Sequence, residues 1–268
     1  MPQPDGSWFD AHLDLAFLTE CGRDLHTTVE DCRGRLLPAS VTLPELAEAG
    51  VSWALGTIFT EGMPPEKFRG EREPAYGYPL GDSLAAWKAG QRQLKLYKAW
   101  AEAGLISLAG RRGSPTLRSQ SPPPRLTLGV LMECADPIES PEQLDEWADG
   151  GVVAIGLAWA SQARYAGGNT TTTGLTDAGR DLIRRMDDLG IVHDLSHLSD
   201  KACDELLRLT DRPVMASHSN VRTLADPTNQ RHLRDDTIRE IARRGGVIGL
   251  NLFSPFLRAG LKGGERAT

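Results

Sequence analysis

Five side chains able to bind a metal ion stand at comparable places in this chain. His12 and Asp14 lie in SWFDAHLDLAF, Glu133 in RLTLGVLMEC, His197 in GIVHDLSHL and His218 in RPVMASHSN. Each belongs to, or closes, a short apolar run. Three neutral imidazoles with two carboxylates suit zinc or a similar transition metal, whereas magnesium and calcium prefer all-oxygen shells. Five ligands exceed the three protein ligands of an ordinary catalytic zinc, and two ions sharing one bridging carboxylate would use all of them. In an extended segment, residues two apart share a face, so His12 and Asp14 can grip one ion from one side while Leu13 and Leu15 face the other way. Arg231 offers a bidentate clamp for a substrate carboxylate. Each residue also has an ordinary role open to it. A lone strand histidine is commonly a hydrogen-bonded core residue, Asp14 can cap or pair with an arginine, Glu133 can sit in a loop, and Arg231 can be a solvated surface group. His26 reads as a loop residue, and His232 only flanks Arg231. His193, on the same face of its segment as His197 but about 13 Å back at roughly 3.3 Å per residue, reads as a barrel-interior side chain.

The elements that must position these groups are apolar, β-rich segments separated by helical patterns. The segments are 8–17, 51–59, 125–134, 152–160, 190–198, 212–220 and 245–253. Their nearly continuous apolar character fits strands covered on both faces, as in parallel sheets. Between them, LTDAGRDLIRRMDDLG places Leu182, Ile183, Met186 and Leu189 at helical spacing, with Thr176 as N-cap and Gly190 as the stop. Ser199 caps SDKACDELLRL, RDDTIREIARRGG ends at Gly245, and residues 82–104 form the longest helical stretch. Strand then helix, repeated, predicts an α/β fold. Seven strands in about 250 residues point to a (β/α) TIM-type barrel, which carries its chemistry at the C-terminal strand ends. The five donors fall at such ends, and Trp159 and Asn251 close two further segments. The alternative is an open doubly wound sheet, but no glycine-rich phosphate loop follows any strand. Residues 61–81 read as a long loop and 110–125 as a flexible surface excursion. No internal boundary is evident, so residues 1–268 read as one metal-dependent hydrolase barrel domain.

Bulk composition limits the partners. The net charge is -6, which argues against nucleic acid, since that partner calls for a basic patch. No apolar run reaches the roughly 18 residues of a membrane span. MPQPDGSWFD lacks the basic start and apolar core of a signal peptide, so a cytoplasmic protein is expected. Cys21, Cys32, Cys134 and Cys203 form no C-x-x-C pair and read as reduced thiols, with a Cys21–Cys32 bridge as the alternative.

Taken together, H-x-D in the first segment, MECADPI after the third, DLSHLSD in the fifth and SHSNVRTL followed by Arg231 resemble the membrane (renal) dipeptidase family of zinc metallopeptidases. GLAWASQARYAGGNTTTTGLTDAGRDLI and RGGVIGLNLFSPFL carry the same resemblance, which runs from about residue 8 to 258. It implies a barrel holding two zinc ions: His12 and Asp14 on one, His197 and His218 on the other, and Glu133 bridging both. It further implies a hydroxide between the ions that attacks a dipeptide amide, with Arg231 on the substrate carboxylate. Two departures stand out. Trp159 occupies the place where many members carry a substrate-binding histidine, and the G-S-D-x-D-G-like segment of an eighth strand, with its acid–base aspartate, is not found. The chain therefore reads as a barrel lacking its eighth strand, either a truncated copy or one completed by another chain or element. An open barrel edge favours association, so a homo-oligomer is one expectation. A catalytically impaired metal-binding scaffold and a hydrolase of cyclic amides or dehydropeptides are the competing functions.

Overall fold

The computed structural model describes residues 8–36, 38–68, 76–110 and 126–257. The chain divides into two compact units: residues up to Glu139 with Gln143–Ala154, and Ser140–Glu142 with the residues from Ile155 onward.

The first unit contains β1 (Trp8–Leu13), α1 (Leu15–Glu20), α2 (Leu43–Glu48), β2 (Val51–Ile58), β3 (Glu61–Met63), β4 (Gly77–Pro79), α3 (Ser83–Glu102), β5 (Ser107–Leu108), β6 (Thr127–Met132) and α4 (Leu144–Asp149). β7 (Val152–Gly156) begins in this unit and ends in the second. The sheet order here is β1-β2-β6-β7, with β5 also against β6. The β1–β2, β2–β6 and β5–β6 pairs are parallel. The strands are apolar where they are covered: Ala54, Ile58, Leu128, Val130, Leu131 and Met132 are all fully buried. The segment expected as a loop over 61–81 contains a second small sheet, β3 parallel to β4, because the chain at Glu61–Met63 runs beside Gly77–Pro79. Residues 69–75 of that segment, and 111–125 of the expected surface excursion, lie outside the described residues.

Helix α3 packs on the first unit through one face. Asp82 caps it by accepting from Ala85 N at 2.9 Å, satisfying an otherwise orphaned backbone donor. Its buried stripe includes Ala86, Ala89, Gly90, Gln93, Leu94, Tyr97 and Trp100, the three-and-four spacing of a helix packed on one face. Two members of the stripe are polar, and both are used. The Gln93 amide accepts from Phe59 N at 2.8 Å and donates to Phe59 O at 2.6 Å. The Tyr97 hydroxyl donates to Thr57 O at 2.8 Å and accepts from Ala16 N at 3.2 Å. Tyr97 therefore ties the end of β2 to the first turn of α1. Gly56 lets the ring lie there, since a Cβ at that position would come within 2.8 Å of it.

The second unit contains α5 (Asp177–Leu189), β8 (Val192–Asp194), α6 (Asp200–Leu209), β9 (Val214–Ala216), α7 (Arg222–Ala225), α8 (Asp235–Arg243), β10 (Val247–Ile248) and α9 (Ser254–Leu257). The sheet order is β7-β8-β9-β10, and β8–β9 and β9–β10 are parallel. Parallel strands alternating with helices give the α/β fold of TIM-barrel type. Among the described residues, β10 is followed by α9 and by no further strand. The predicted caps hold: Thr176 accepts from Gly179 N and Ser199 from Ala202 N, each at 3.0 Å. Gly190 ends α5 with φ at 70°, a left-handed conformation that costs glycine nothing.

The strands are shorter than the apolar runs that announce them. β1 stops at Leu13 because Asp14 turns the backbone into α1, so residues 14–17 are not strand. β8 covers only three residues of 190–198, since Asp194 Oδ1 accepts Ser196 N at 3.0 Å and folds the chain into a side-chain-closed turn. His193 is likewise not a barrel-interior residue. Its Nε2 pairs at 2.7 Å with Asp187 on α5, on the helix-covered side of the strand.

Two predictions follow from these contacts. Tyr97→Phe leaves Ala16 N and Thr57 O without their partner and should lower the unfolding free energy by about 1–3 kcal/mol, measured by urea melts. Burial pushes the Asp187 carboxyl up, but hydrogen bonds from His193 and Thr210, with the nearby charges of His193 and Arg212, outweigh it and hold the carboxyl below its ordinary value. A depressed carboxyl stabilises fully above its unfolded pKa of about 3.9 and ceases to as pH falls through its folded value. Asp187→Asn should thus be less stable than wild type at neutral pH, and the gap should close below about pH 4 in thermal melts.

Candidate metal centre

In the first unit, three donors stand at strand exits. His12 is the penultimate residue of β1, and Asp14 follows the strand as the residue before α1. Glu133 directly follows β6, and its N–H continues the ladder by donating to Ile58 O at 3.1 Å. His12 Nε2 lies 3.4 Å from Asp14 Oδ1 and 3.8 Å from Glu133 Oε1. Thr57, near the end of β2, donates its hydroxyl to Asp14 Oδ1 at 2.5 Å. The side chains of His12 and Asp14 meet although Asp14 is not in the strand, because the turn into α1 brings its carboxylate back beside the ring.

In the second unit, two imidazoles face each other. His197 Nε2 and His218 Nε2 are 2.9 Å apart. His197 Nδ1 lies 3.0 Å from Asn169 Oδ1, an acceptor that favours the tautomer with its proton on Nδ1 and the lone pair on Nε2. His218 Nδ1 lies 2.8 Å from Ser217 Oγ. His197 is held at φ 66°; Leu36 is the other described non-glycine residue at positive φ. Such a conformation is costly for a side-chain-bearing residue and points to a position fixed by its surroundings. Trp159, three residues past β7, lies with its ring centroid 5.9 Å from that of His197.

Arg231 is buried rather than solvated. Its Nη1 donates to Ser219 Oγ at 2.9 Å and its Nη2 to His218 O at 2.7 Å. It therefore holds the backbone at the residue that presents an imidazole. The remaining histidines serve packing. His26 meets Trp100 edge to face at 5.7 Å, and His232 meets Phe256 in the same way at 4.9 Å. Burial, with the neighbouring charge of Arg231, holds His232 below its ordinary pKa. All four cysteines are free thiols.

Sequence spacing did not reveal Thr57, Asn169, Asp194 or Ser217, each of which orients a donor or its neighbour. The one available signal was an aspartate inside an apolar segment, at Asp194, where a carboxylate must find hydrogen-bond donors.

The two donor sets fit a metal. An imidazole Nε2 beside two carboxylates, and a pair of Nε2 atoms backed at Nδ1, are arrangements that a divalent transition metal satisfies and that all-oxygen metals do not require. The family model of the membrane dipeptidases, peptidase family M19, matches residues 5–268. The chain belongs to this family. A solved dipeptidase of metallopeptidase family M19 is similar at a TM-score of 0.72 and 25% identity, over 94% of this chain and 74% of that one. A metallopeptidase from Rhodobacter sphaeroides, solved with a phosphinate mimic of the dipeptide L-Ala-D-Ala, shares the fold at a TM-score of 0.70 and 24% identity, over 94% of this chain and 75% of that one. An uncharacterised protein of Acinetobacter calcoaceticus is 30% identical over 144 residues, 50% of this chain and 45% of its own length. This M19 member spans less than half the length of the curated relatives it matches. M19 is a family of metallopeptidases, and both donor sets carry the residue types that a transition metal takes. No helix of the described residues is long and apolar enough to cross a membrane.

The backbone at His197 gives a direct check. At a left-handed position an L side chain costs about 1–2 kcal/mol, so His197→Gly should be more stable than His197→Ala by about 1 kcal/mol in chemical denaturation. The usual order, with alanine the more stable, would show that the φ of 66° is not adopted.

Proposed function

We propose that this chain acts as a metal-dependent dipeptidase, with two zinc ions held by His12, Asp14, His197 and His218 and by Glu133 as the carboxylate common to both. Membership of the M19 family is the observation that carries this reading. The donor geometry within each unit supports it. Bound zinc would supply Lewis acidity toward the amide carbonyl and a water made acidic enough to attack at neutral pH.

The remaining roles fall to the chain itself. Glu133 is 5% exposed, so its carboxylate is held in place with little solvent to compete for it. Thr57 holds Asp14 by Oδ1, the oxygen that lies 3.4 Å from His12 Nε2, and so fixes the carboxylate beside the ring. Arg231, anchored on His218 O and Ser219, is our candidate for binding the substrate's terminal carboxylate, which positions the amide relative to the ligand-bearing loop. Trp159 offers an apolar wall beside His197 where an imidazole donor would otherwise assist. The substrate is a dipeptide or a similar small amide, the 268 residues act as a single hydrolase domain, and the free thiols suit the cytoplasm.

Purified protein should bind about two zinc equivalents by elemental analysis and hydrolyse dipeptides, with activity lost to a chelator and restored by zinc. His197→Ala should lose about one equivalent and most turnover. Arg231→Ala should raise KM for free dipeptides while sparing substrates without a terminal carboxylate. Zinc binding without turnover of any dipeptide would contradict the peptidase reading, and full metal retention in His197→Ala would contradict the ligand assignment.

A further inference from the structure

A carboxylate that belongs to none of the five donors is buried behind one of them. Asp194 is 1% exposed. Its Oδ1 accepts Ser196 N at 3.0 Å and Ser217 N at 2.9 Å, and its Oδ2 accepts the Ser217 hydroxyl at 2.5 Å. The Ser217 hydroxyl donates to Asp194 Oδ2 at 2.5 Å, against 3.4 Å to Ser196 Oγ, so its single proton is directed to Asp194. Ser217 Oγ can then serve His218 Nδ1, 2.8 Å away, only as an acceptor. The His218 ring proton is consequently on Nδ1, and the Nε2 lone pair faces outward.

This matters because a competing arrangement is close at hand. With its proton on Nε2, His218 would donate to His197 Nε2 across the 2.9 Å gap. That single hydrogen bond would occupy both nitrogens needed by a cation. Two lone pairs facing each other at this distance repel, and a partner on the far side of each ring offsets that repulsion. Asn169 does so for His197 and the Asp194–Ser217 pair for His218.

We propose that Asp194 and Ser217 are positioning residues that lock the tautomer of His218, keeping Nε2 available to a metal rather than to His197. This deepens the dipeptidase reading and rests on it for the identity of the metal site, whereas the tautomer itself is a property of the metal-free chain. Outer partners of this kind commonly contribute 10–100-fold in metal affinity.

The test uses the full-length, metal-free protein at pH 8, with ¹⁵N-labelled histidine and long-range ¹H–¹⁵N correlation spectra, the His218 ring being assigned from its loss in His218→Ala. Wild type should show His218 with its proton on Nδ1. Ser217→Ala, which leaves Asp194 its two backbone donors, should keep its thermal unfolding cooperative and move the proton to Nε2. Its zinc affinity, titrated with zinc alone, should fall about 10- to 100-fold, and Ser217→Thr should restore both properties. An unchanged tautomer and unchanged zinc affinity in Ser217→Ala would overturn the relay while leaving the dipeptidase reading intact. A wild type that shows the Nδ1 proton yet binds no zinc would overturn the dipeptidase reading while leaving the lock in place.

Discussion

The sheet is built from strands whose middles are covered, and that constraint governs where chemistry can occur. A polar group buried without partners costs several kcal/mol, so the central residues of β2 and β6 are apolar and the donors are displaced to the exits. Glu133 follows β6 at once, His12 is one residue from the end of β1, and His218 lies two residues past β9. Each stands at or just past the end of its strand, where the chain leaves the sheet. The placement of these side chains is therefore a consequence of parallel-sheet packing, and their scatter through the sequence is the expected result of that packing.

The same constraint explains the support behind the donors. Turns that leave a sheet expose backbone N–H groups, which must be paired. Asp194 accepts two of them and uses its remaining oxygen on Ser217, so a single buried carboxylate both closes the turns and sets the hydrogen-bonding state of His218. Arg231 does comparable work on the other side of that residue, donating to its carbonyl. In the first unit, Tyr97 and Thr57 play matching parts, the first tying β2 to the turn after Asp14 and the second holding the Asp14 carboxylate.

Much of this was legible in one dimension. The caps at Thr176 and Ser199 and the stop at Gly190 announced α5 and α6, because capping chemistry is local. The five donors were visible because a polar group at the end of an apolar run is conspicuous. Strand lengths were not, since Leu15 and Ala16 are as buried in the helix after β1 as strand residues would be, and composition does not mark where the backbone turns. His193 was misplaced for a related reason: alternation was counted back from His197, which lies beyond β8 in a left-handed turn. Asp194 and Ser217 escaped notice because their pairing joins positions 23 residues apart, and no local pattern encodes it.

The central claim is that strand-exit donors from both halves of the sequence hold zinc. The most direct measurement is anomalous X-ray diffraction at the zinc edge from crystals of the zinc-loaded protein. The account predicts two zinc peaks, one bound by His12 and Asp14, the other by His197 and His218, with Glu133 reaching both. Zinc found only on other side chains, or a single peak with Glu133 bound to neither ion, would contradict it.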